Sequence, residues 1–319
     1  MTTKIILDCD PGHDDAIAML LAQGNPEIDL LAVTTVAGNQ TLDKVTRNAL
    51  AVADIAGMTE VPVAAGCDRP LVRAPRVAPD IHGESGMDGP QLPPSVREVD
   101  GRHAVDLIIE TIMAEPVGSV TLVPTGALTN IALAVRREPR IADRVREVVL
   151  MGGALHRGNW SATSEFNIIV DPESAHIVFN ADWPVTMVGL DATHQALATP
   201  EVIERITAIG NGPSRFVVEL LEFFAKAYRE SQHFASPPVH DPVAVARVID
   251  RSIVRTVGVP LDVELGNGLT VGMTVADLRA PADDASRTHA AVDLDQERFW
   301  GLIVDALERL DDRLLTPEE

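Results

Sequence analysis

The sequence predicts an α/β protein with a mostly parallel central sheet flanked by helices and with small antiparallel elements toward the C-terminus. The first half alternates short β-branched apolar runs with amphipathic stretches, a pattern typical of parallel strands connected by helices. The 319 residues are 46% hydrophobic, which is enough for a large core. No repeat, low-complexity tract or long linker divides the chain, so we expect residues 1–319 to form one domain.

The predicted strands are short runs rich in Val, Ile and Leu. They cover residues 4–7, 30–35, 120–124, 148–151 and 185–188. Because these runs are apolar throughout rather than alternating, they indicate a sheet that is buried on both faces.

Helical periodicity appears between and after these strands. The predicted helices cover residues 15–23, 41–56, 103–115, 171–180, 201–209, 214–230, 242–249 and 297–310. Residues 253–277 are expected to form antiparallel strands around Gly266-Asn267-Gly268. Residues 67–94 are rich in Gly, Pro and charge and predict a long loop that contains His82; such loops usually have a function.

The charge balance limits the partners of the chain. Its 26 Lys and Arg against 47 Asp and Glu give a formal charge of -21, which repels nucleic acid polymers and anionic lipid surfaces. No apolar run approaches the roughly 20 residues that cross a bilayer, and no signal peptide is recognised, so we expect a cytoplasmic protein. Cys9 and Cys67 do not form a metal or redox motif and are expected to be free thiols.

Candidate ligand-binding residues lie at the ends of four predicted strands, at the edge of the sheet where α/β proteins bind ligands. They are Asp8, Asp10, Asp14 and Asp15 after the first strand, Asn39 after the second, Thr125 after the third and Met151-Gly152-Gly153 at the end of the fourth. The sequence therefore predicts one site built from several strand ends.

The aspartates after the first strand indicate a metal ion. Four carboxylates within eight residues repel one another unless a cation lies among them. Oxygen donors favour Ca²⁺ or Mg²⁺ over Zn²⁺, and ligands from separate loops favour calcium. The alternative is that Asp14 and Asp15 only complement a helix dipole, which would explain one of them but not the whole cluster.

The segment 8–16, Asp-Cys-Asp-Pro-Gly-His-Asp-Asp-Ala, resembles the signature of the nucleoside hydrolases, the inosine-uridine preferring nucleoside N-ribohydrolase family. Further blocks resemble that family in the same order, at residues 33–39, 124–130, 151–154, 165–167 and 240–242. A collinear set of this kind is far more specific than any one block. The resemblance covers about residues 4–249. It implies a Rossmann-like fold and the calcium-dependent hydrolysis of purine or pyrimidine ribonucleosides to ribose and free base.

The resemblance also implies roles for individual residues. Calcium would be held by Asp10, Asp15, the Thr125 backbone carbonyl and Asp241. Asp10 would also be the general base toward the water that attacks C1′ of the ribose. The implied substrate-binding residues are Asp14, Asn39 and Asn167 at the ribose hydroxyls, Asn159 and Glu165 near the 5′ hydroxyl, Met151 against the sugar, and Phe166 beside them. A homotetramer or homodimer is implied as well.

Histidines are the candidates for protonating the leaving base, since a purine anion is a poor leaving group. His240 is the candidate acid, with His82 beside the base; a solvated surface histidine is the alternative for His82. Tyr228 could stack on the base or belong to the core, and His233 could contact the base. Residues 228–238 align poorly with any subgroup, which leaves base preference open.

Two Asp-Pro pairs are typical of helix starts, with Asp at the N-cap and Pro at the first helical position. We assign that role to Asp171 before Pro172. For Asp241 the neighbouring His240 favours a metal-ligand role instead.

Two other functions compete with this prediction. Asp8-Cys9-Asp10 after a strand mimics the nucleophile and acid pair of haloacid-dehalogenase-like phosphatases, but Gly12 stands where that family expects Thr or Val. A non-catalytic, calcium-dependent nucleoside-binding protein would be expected to have lost Asp10 or His240, and both are present.

Overall fold

A computed structural model describes residues 2–92, 94–279 and 281–310, so both ends of the predicted 1–319 domain and residue 93 of the predicted loop lie outside the described residues. The strands are β1 (Thr3–Cys9), β2 (Ile28–Thr35), β3 (Val63–Ala65), β4 (Val120–Pro124), β5 (Val145–Met151), β6 (Val185–Val188), β7 (Val254–Gly258), β8 (Leu261–Val263), β9 (Thr274–Ala276) and β10 (Thr288–Leu294). The helices are α1 (His13–Gly24), α2 (Leu42–Ile55), α3 (Pro79–His82), α4 (Ala104–Ala114), α5 (Thr129–Arg137), α6 (Phe166–Val170), α7 (Pro172–Phe179), α8 (Leu190–Thr193), α9 (Pro200–Ile209), α10 (Gly212–Ser231), α11 (Asp241–Ile249) and α12 (Gln296–Arg309).

Eight strands form one sheet in the order β3-β2-β1-β4-β5-β6-β10-β7. All neighbours run parallel except β7, which is antiparallel to β10 at the edge. The order 3-2-1-4-5-6 is that of the Rossmann-like, doubly wound sheets, in which the direction of winding reverses between strands 1 and 4. The predicted α/β class with a mostly parallel sheet is confirmed.

Alternate residues of β1 supply the two halves of the core, because successive side chains of a strand point to opposite faces. Ile5 and Leu7 belong to the apolar cluster that also contains α1, α2 and α10 to α12. Ile6 belongs to the cluster on the other face, with α4, α5 and α7. Both faces of the sheet are therefore covered, as the apolar strands predicted.

The small antiparallel part differs in one respect from the prediction for residues 253–277. β8 and β9 do form a separate antiparallel pair on either side of Gly266-Asn267-Gly268. β7 instead joins the edge of the main sheet through β10, a strand that the sequence reading missed. Short helices α3, α5, α6 and α8 were also missed, and α3 lies inside the predicted long loop.

The two Asp-Pro pairs behave differently. Asp171 accepts a hydrogen bond from Ser174 N at 3.1 Å and caps α7, which confirms the predicted N-cap. α11 begins at Asp241 itself and no side chain caps it, so the Asp241 carboxylate is not used as a cap.

Among the described residues, no helix is both long and apolar enough to span a membrane.

Candidate active site

The candidate site lies at the carboxyl ends of the two central strands, where the winding of the sheet reverses. Asp10 follows β1 and Thr125 follows β4, and these strands are hydrogen-bonded neighbours. Such a reversal leaves a crevice between the loops that leave the two strands in opposite directions, which is where doubly wound proteins bind ligands.

A cavity of about 240 Å³ occupies this crevice. It is slightly smaller than the roughly 300 to 1,000 Å³ of typical ligand sites, which suits a small ligand. Most of the predicted site residues line it: Asp14, Asn39, His82, Thr125, Met151, Asn159, Glu165, Phe166, Asn167, Tyr228, His240 and Asp241. Asp10 and Asp15 are fully buried behind this lining. His233 is exposed, has a left-handed φ of 62° and is not part of the lining.

Three carboxylates meet at the floor of the cavity. Oxygens of Asp14, Asp15 and Asp241 lie within 4.8 Å of one another, and all three side chains are buried. Burial, followed by the charge of Asp15, raises the pKa of Asp14 to about 7. Burial and the charges of Asp14 and Asp15 raise the pKa of Asp241 well above its ordinary value. A nearby cation would lower these pKa values and keep the group ionised.

Asp15 both complements the start of helix α1 and belongs to the carboxylate cluster. These two roles were alternatives in the sequence analysis. Its carboxylate accepts from the backbone of Gly12 at 3.1 Å, which satisfies the amino end of α1. The same carboxylate accepts from Thr125 Oγ1 at 2.8 Å and from Asn39 Nδ2 at 3.1 Å. The helix end therefore orients the carboxylate inside the cluster.

Asp10 lies deeper and is held on one oxygen only. Its Oδ2 accepts from Asn39 N at 2.6 Å, while its Oδ1 is buried without a hydrogen-bond partner among the described residues. Gly38 and Gly126 flank the carboxylate so closely that a Cβ on either would overlap it. Burial, followed by the charge of Asp15, raises the pKa of Asp10 well above its ordinary value.

The donor set fits a hard divalent cation. The cluster offers carboxylate oxygens, and the Thr125 carbonyl beside it accepts only one described hydrogen bond, from Asn167 Nδ2 at 2.7 Å. The unpaired Asp10 Oδ1 is an oxygen that needs a cation or a donor, since burying such an atom unpaired is costly. The group could hold a metal ion, and its all-oxygen chemistry favours calcium or magnesium.

His240 is held between two hydroxyl groups at the side of the cavity. Its Nδ1 lies 2.8 Å from Thr193 Oγ1, and its Nε2 lies 2.8 Å from the Tyr228 hydroxyl oxygen. Burial, followed by the charge of His194, lowers the pKa of His240 well below its ordinary value. Tyr228 is thus both a buried core residue and part of the cavity wall. Its place in the core does not exclude contact with a ligand in the cavity.

His82 is not the solvated surface histidine that its loop suggested. It is 6% exposed, and its Nδ1 lies 3.2 Å from Nδ1 of His13, whose Nε2 lies 2.8 Å from the Asp88 carbonyl oxygen. Burial lowers the pKa of His82 well below its ordinary value. The sequence reading did not single out His13, which anchors His82 from α1.

Glu165 and Asn167 line the cavity, and each also forms hydrogen bonds with nearby backbone groups. Glu165 caps α6 by accepting from Asn167 N at 2.9 Å and also accepts from Gly153 N at 2.9 Å. Asn167 Nδ2 donates to the carbonyls of Thr125 and Met151, which leaves its Oδ1 without a described partner. Burial raises the pKa of Glu165 to about 7.

Two further residues of the site were missed in the sequence. Thr193 follows β6 and could have been found by extending the search of strand ends to the strand at 185–188. Trp160 is 43% exposed at the mouth of the cavity, where its ring centroid lies 5.3 Å from that of Phe166. No sequence signal distinguished Trp160, since it lies in an irregular loop.

Fold and cavity together define an α/β enzyme site in which a buried carboxylate cluster and a histidine line one small cavity. A family model described as inosine-uridine preferring nucleoside hydrolase matches residues 5–301. The chain belongs to this nucleoside hydrolase family, whose reaction is the hydrolysis of the N-glycosidic bond of ribonucleosides. The phosphatase alternative is therefore not supported.

Individual relatives match over nearly their whole length. The chain is 60% identical over 313 residues to the inosine-uridine preferring nucleoside hydrolase of Crithidia fasciculata, covering 98% of this chain and 99% of that protein. It is 43% identical over 304 residues to the pyrimidine-specific ribonucleoside hydrolase RihB of Escherichia coli O9:H4 (strain HS), covering 95% and 96%. The solved structure of a purine-preferring ribonucleoside hydrolase from Gardnerella vaginalis superposes with a TM-score of 0.90 at 35% identity, covering 97% of this chain and 99% of that one.

Proposed function

We propose that this protein is a calcium-dependent N-ribohydrolase that cleaves purine or pyrimidine ribonucleosides to ribose and free base. The observation that carries the proposal is the cavity at the β1–β4 crevice, which is lined both by members of a buried carboxylate cluster and by His240. A metal-held diol and a protonated leaving group are the two requirements of this reaction, and the cavity has residues for both.

Calcium is proposed to be held by Asp10, Asp15, the Thr125 carbonyl and Asp241, with Asp14 beside them. The buried, unpaired Oδ1 of Asp10 and the closeness of Asp14, Asp15 and Asp241 support this set. When bound, the ion would supply the positive charge that keeps the carboxylates ionised, polarises water and attracts the ribose diol.

Asp10 is proposed as the general base that takes a proton from the attacking water. Asn39 N donates to Oδ2 at 2.6 Å and restrains that oxygen, which leaves Oδ1 as the oxygen available for a proton. A base fixed in this way loses no orientational freedom when it reacts.

The ribose is proposed to lie against Asp14, Asn39, Met151 and Asn167, with Asn159, Glu165 and Phe166 toward its 5′ hydroxyl. All of them line the cavity. Their backbone contacts hold their polar groups in place before the ligand arrives, and a buried polar group left unpaired penalises a ligand without the matching hydroxyl.

His240 is proposed as the acid that protonates the departing base, with His82 and Tyr228 beside the base. Nε2 of His240 faces the Tyr228 hydroxyl, and both side chains line the cavity with His82. His233 lies outside the lining, so its proposed base contact would need a movement of its loop.

We further propose that residues 1–319 act as one catalytic domain, in the cytoplasm and as a homo-oligomer. Support for the compartment comes from Cys9 and Cys67, which are both buried free thiols. The homo-oligomer is proposed from the family resemblance.

The test is an assay of free ribose after incubation with inosine and, separately, with uridine. Both bases are needed because the relatives differ in the base that their names give. Release of unphosphorylated ribose supports the proposal, and 2′-deoxyinosine should react more slowly by a factor of up to ~10⁴ because the cluster loses a hydroxyl partner. No ribose from either nucleoside, or equal rates on inosine and 2′-deoxyinosine, would count against it.

A further inference from the structure

The connection between β8 and β9 carries an exposed Asn-Gly pair, Asn267-Gly268. Both residues are exposed, and a Cβ on Gly268 would meet nothing within 4 Å. No described residue accepts a hydrogen bond from Gly268 N. Neither residue belongs to the lining of the catalytic cavity. The pair is therefore accessible to solvent and takes no part in the proposed reaction.

The side-chain amide of Asn267 is contacted on its oxygen and not on its nitrogen. Arg73 Nη1 donates to Asn267 Oδ1 at 3.2 Å, whereas Nδ2 has no hydrogen-bond partner among the described residues. A guanidinium on an amide oxygen withdraws electron density from Cγ and stabilises the negative oxygen that forms when a nucleophile attacks. The amide nitrogen can leave, because no described group retains it.

The nucleophile next to this amide is the backbone nitrogen of Gly268. It lies one residue along the chain, so its attack on Cγ is intramolecular and closes a cyclic imide. Glycine has no side chain to obstruct the approach, and it adopts backbone conformations that other residues avoid. The electrophile, the nucleophile and an accessible leaving group thus occur together in one exposed turn.

We propose that Asn267 is a site of spontaneous deamidation. Gly268 N loses its proton and forms a bond to Cγ of Asn267, the bond between Cγ and Nδ2 breaks, and Nδ2 takes up a proton and leaves as ammonia. Water then opens the cyclic imide at either carbonyl, which produces aspartate or isoaspartate at position 267. Water is the only co-reactant. The inference does not depend on the proposed function.

The chain contains a second Asn-Gly pair, Asn211-Gly212, which is held in place. Asn211 is the N-cap of α10, where its Oδ1 accepts from Ser214 N at 2.9 Å. Its Nδ2 donates to the Leu307 carbonyl at 2.7 Å. Both ends of this amide are bound, and Gly212 is the first residue of the helix. The same dipeptide is therefore expected to react much more slowly at this position.

The experiment is peptide mapping by mass spectrometry of the full-length protein after incubation in a mildly alkaline buffer. Asn267→Asp provides the reference for the aspartate product. Gly268→Ala adds a methyl group in open space and should obstruct the attack. Gly101→Ala is the matched control, because Gly101 is also exposed and a Cβ there would also meet nothing within 4 Å.

The peptide that contains Asn267 should gain about 1 Da, the result of exchanging an amide for an acid. It should separate into two products, one of which matches the Asn267→Asp reference while the other is isoaspartate. Asn267 should react at least about tenfold faster than Asn211, because only Asn267 can reach the geometry of attack. Gly268→Ala should slow the reaction at Asn267 by roughly tenfold, and Gly101→Ala should not change it.

Three results would overturn the inference. They are an Asn267 peptide that gains no mass, equal rates at Asn267 and Asn211, and aspartate without isoaspartate, because direct hydrolysis of the side chain cannot produce isoaspartate. An unchanged rate in Gly268→Ala would also overturn it. If Gly268→Ala does not fold, the comparison of Asn267 with Asn211 within the wild-type protein decides alone.

Discussion

Asp10 combines a fixed orientation with a free oxygen. One oxygen accepts from Asn39 N, and the other is buried without a partner among the described residues. Two glycines lie so close that a Cβ on either would overlap the carboxylate. Asp171, whose carboxylate caps a helix, instead accepts hydrogen bonds on both of its oxygens. The arrangement is that expected of a residue that acts on a ligand.

Asp10→Asn should reduce turnover on inosine to below a few per cent of the wild type, because the amide can neither accept the proton of the attacking water nor bind a cation as a carboxylate does. The fold should survive, since the change preserves size. Steady-state kinetics and the melting midpoint check both expectations. Asp43→Asn, the same change at an exposed position on α2, is the control. A larger residual activity would assign the base elsewhere, with Asp14 as the next candidate.

His240→Ala should lower turnover on inosine by roughly 10² to 10⁴, the usual contribution of a positioned general acid. That loss corresponds to about 3 to 5 kcal/mol of transition-state stabilisation. Turnover on p-nitrophenyl riboside and the metal content should stay near wild type, because neither depends on the acid. If both substrates lost activity equally, the mutation would have damaged the ribose pocket, and His82 would have to be tested as the acid.

At the scale of elements, one buried carboxylate connects segments of the chain that follow β3, β4 and β5. Asp171 at the start of α7 is fully buried, and it accepts from Leu71 N at 2.9 Å and from Thr129 Oγ1 at 2.7 Å besides capping its helix. One side chain thus joins α7, the loop after β3 and the start of α5.

Asp171→Ala should lower the free energy of unfolding by about 2 to 3 kcal/mol, because it removes a cap and leaves buried donors without partners. Asp295→Ala is the comparison, since Asp295 caps α12 through Arg298 N at 3.2 Å from an exposed position and should cost about 1 kcal/mol. Urea denaturation of both variants measures the difference. Similar losses in the two variants would show that the additional contacts of Asp171 contribute nothing.

Elements were predictable from the sequence where their signal was long or strongly biased. The strands at 120–124 and 185–188 were placed at their observed bounds because both are apolar and rich in valine. β10 was missed because its Ala290 and Ala291 have low strand propensity, and its place is set by pairing with β6 and β7. α5 was missed because no side chain caps its start, and α8 is too short to show a helical period.

The residues of the site could be predicted where they lie just after a predicted strand. Most of the residues that line the cavity came from the strand ends or from the family blocks, since parallel strands end at one edge. Thr193 would have come from the same search extended to the strand at 185–188, whereas the role of His13 depends on how the packing of α1 brings it against His82. That information lies in tertiary contacts.

At the scale of the whole molecule, the order of the strands determines where the site can be. The eight-stranded sheet takes its strands from both ends of the described chain, and its reversal between β1 and β4 opens the crevice that holds the cluster. The chain has a formal charge of -21, and the electric field of these negative charges disfavours the ionised form of the buried carboxylates. This adds to the need for a cation in the cluster.

The measurement that tests this account most directly is the metal content of the purified protein, together with turnover on inosine before and after chelation. We expect one calcium ion per chain. Exhaustive chelation should abolish turnover, and added calcium should restore it, because the carboxylates of Asp10, Asp15 and Asp241 cannot all stay ionised in a buried cluster without a cation. Full activity after exhaustive chelation, or zinc as the bound ion, would contradict the account.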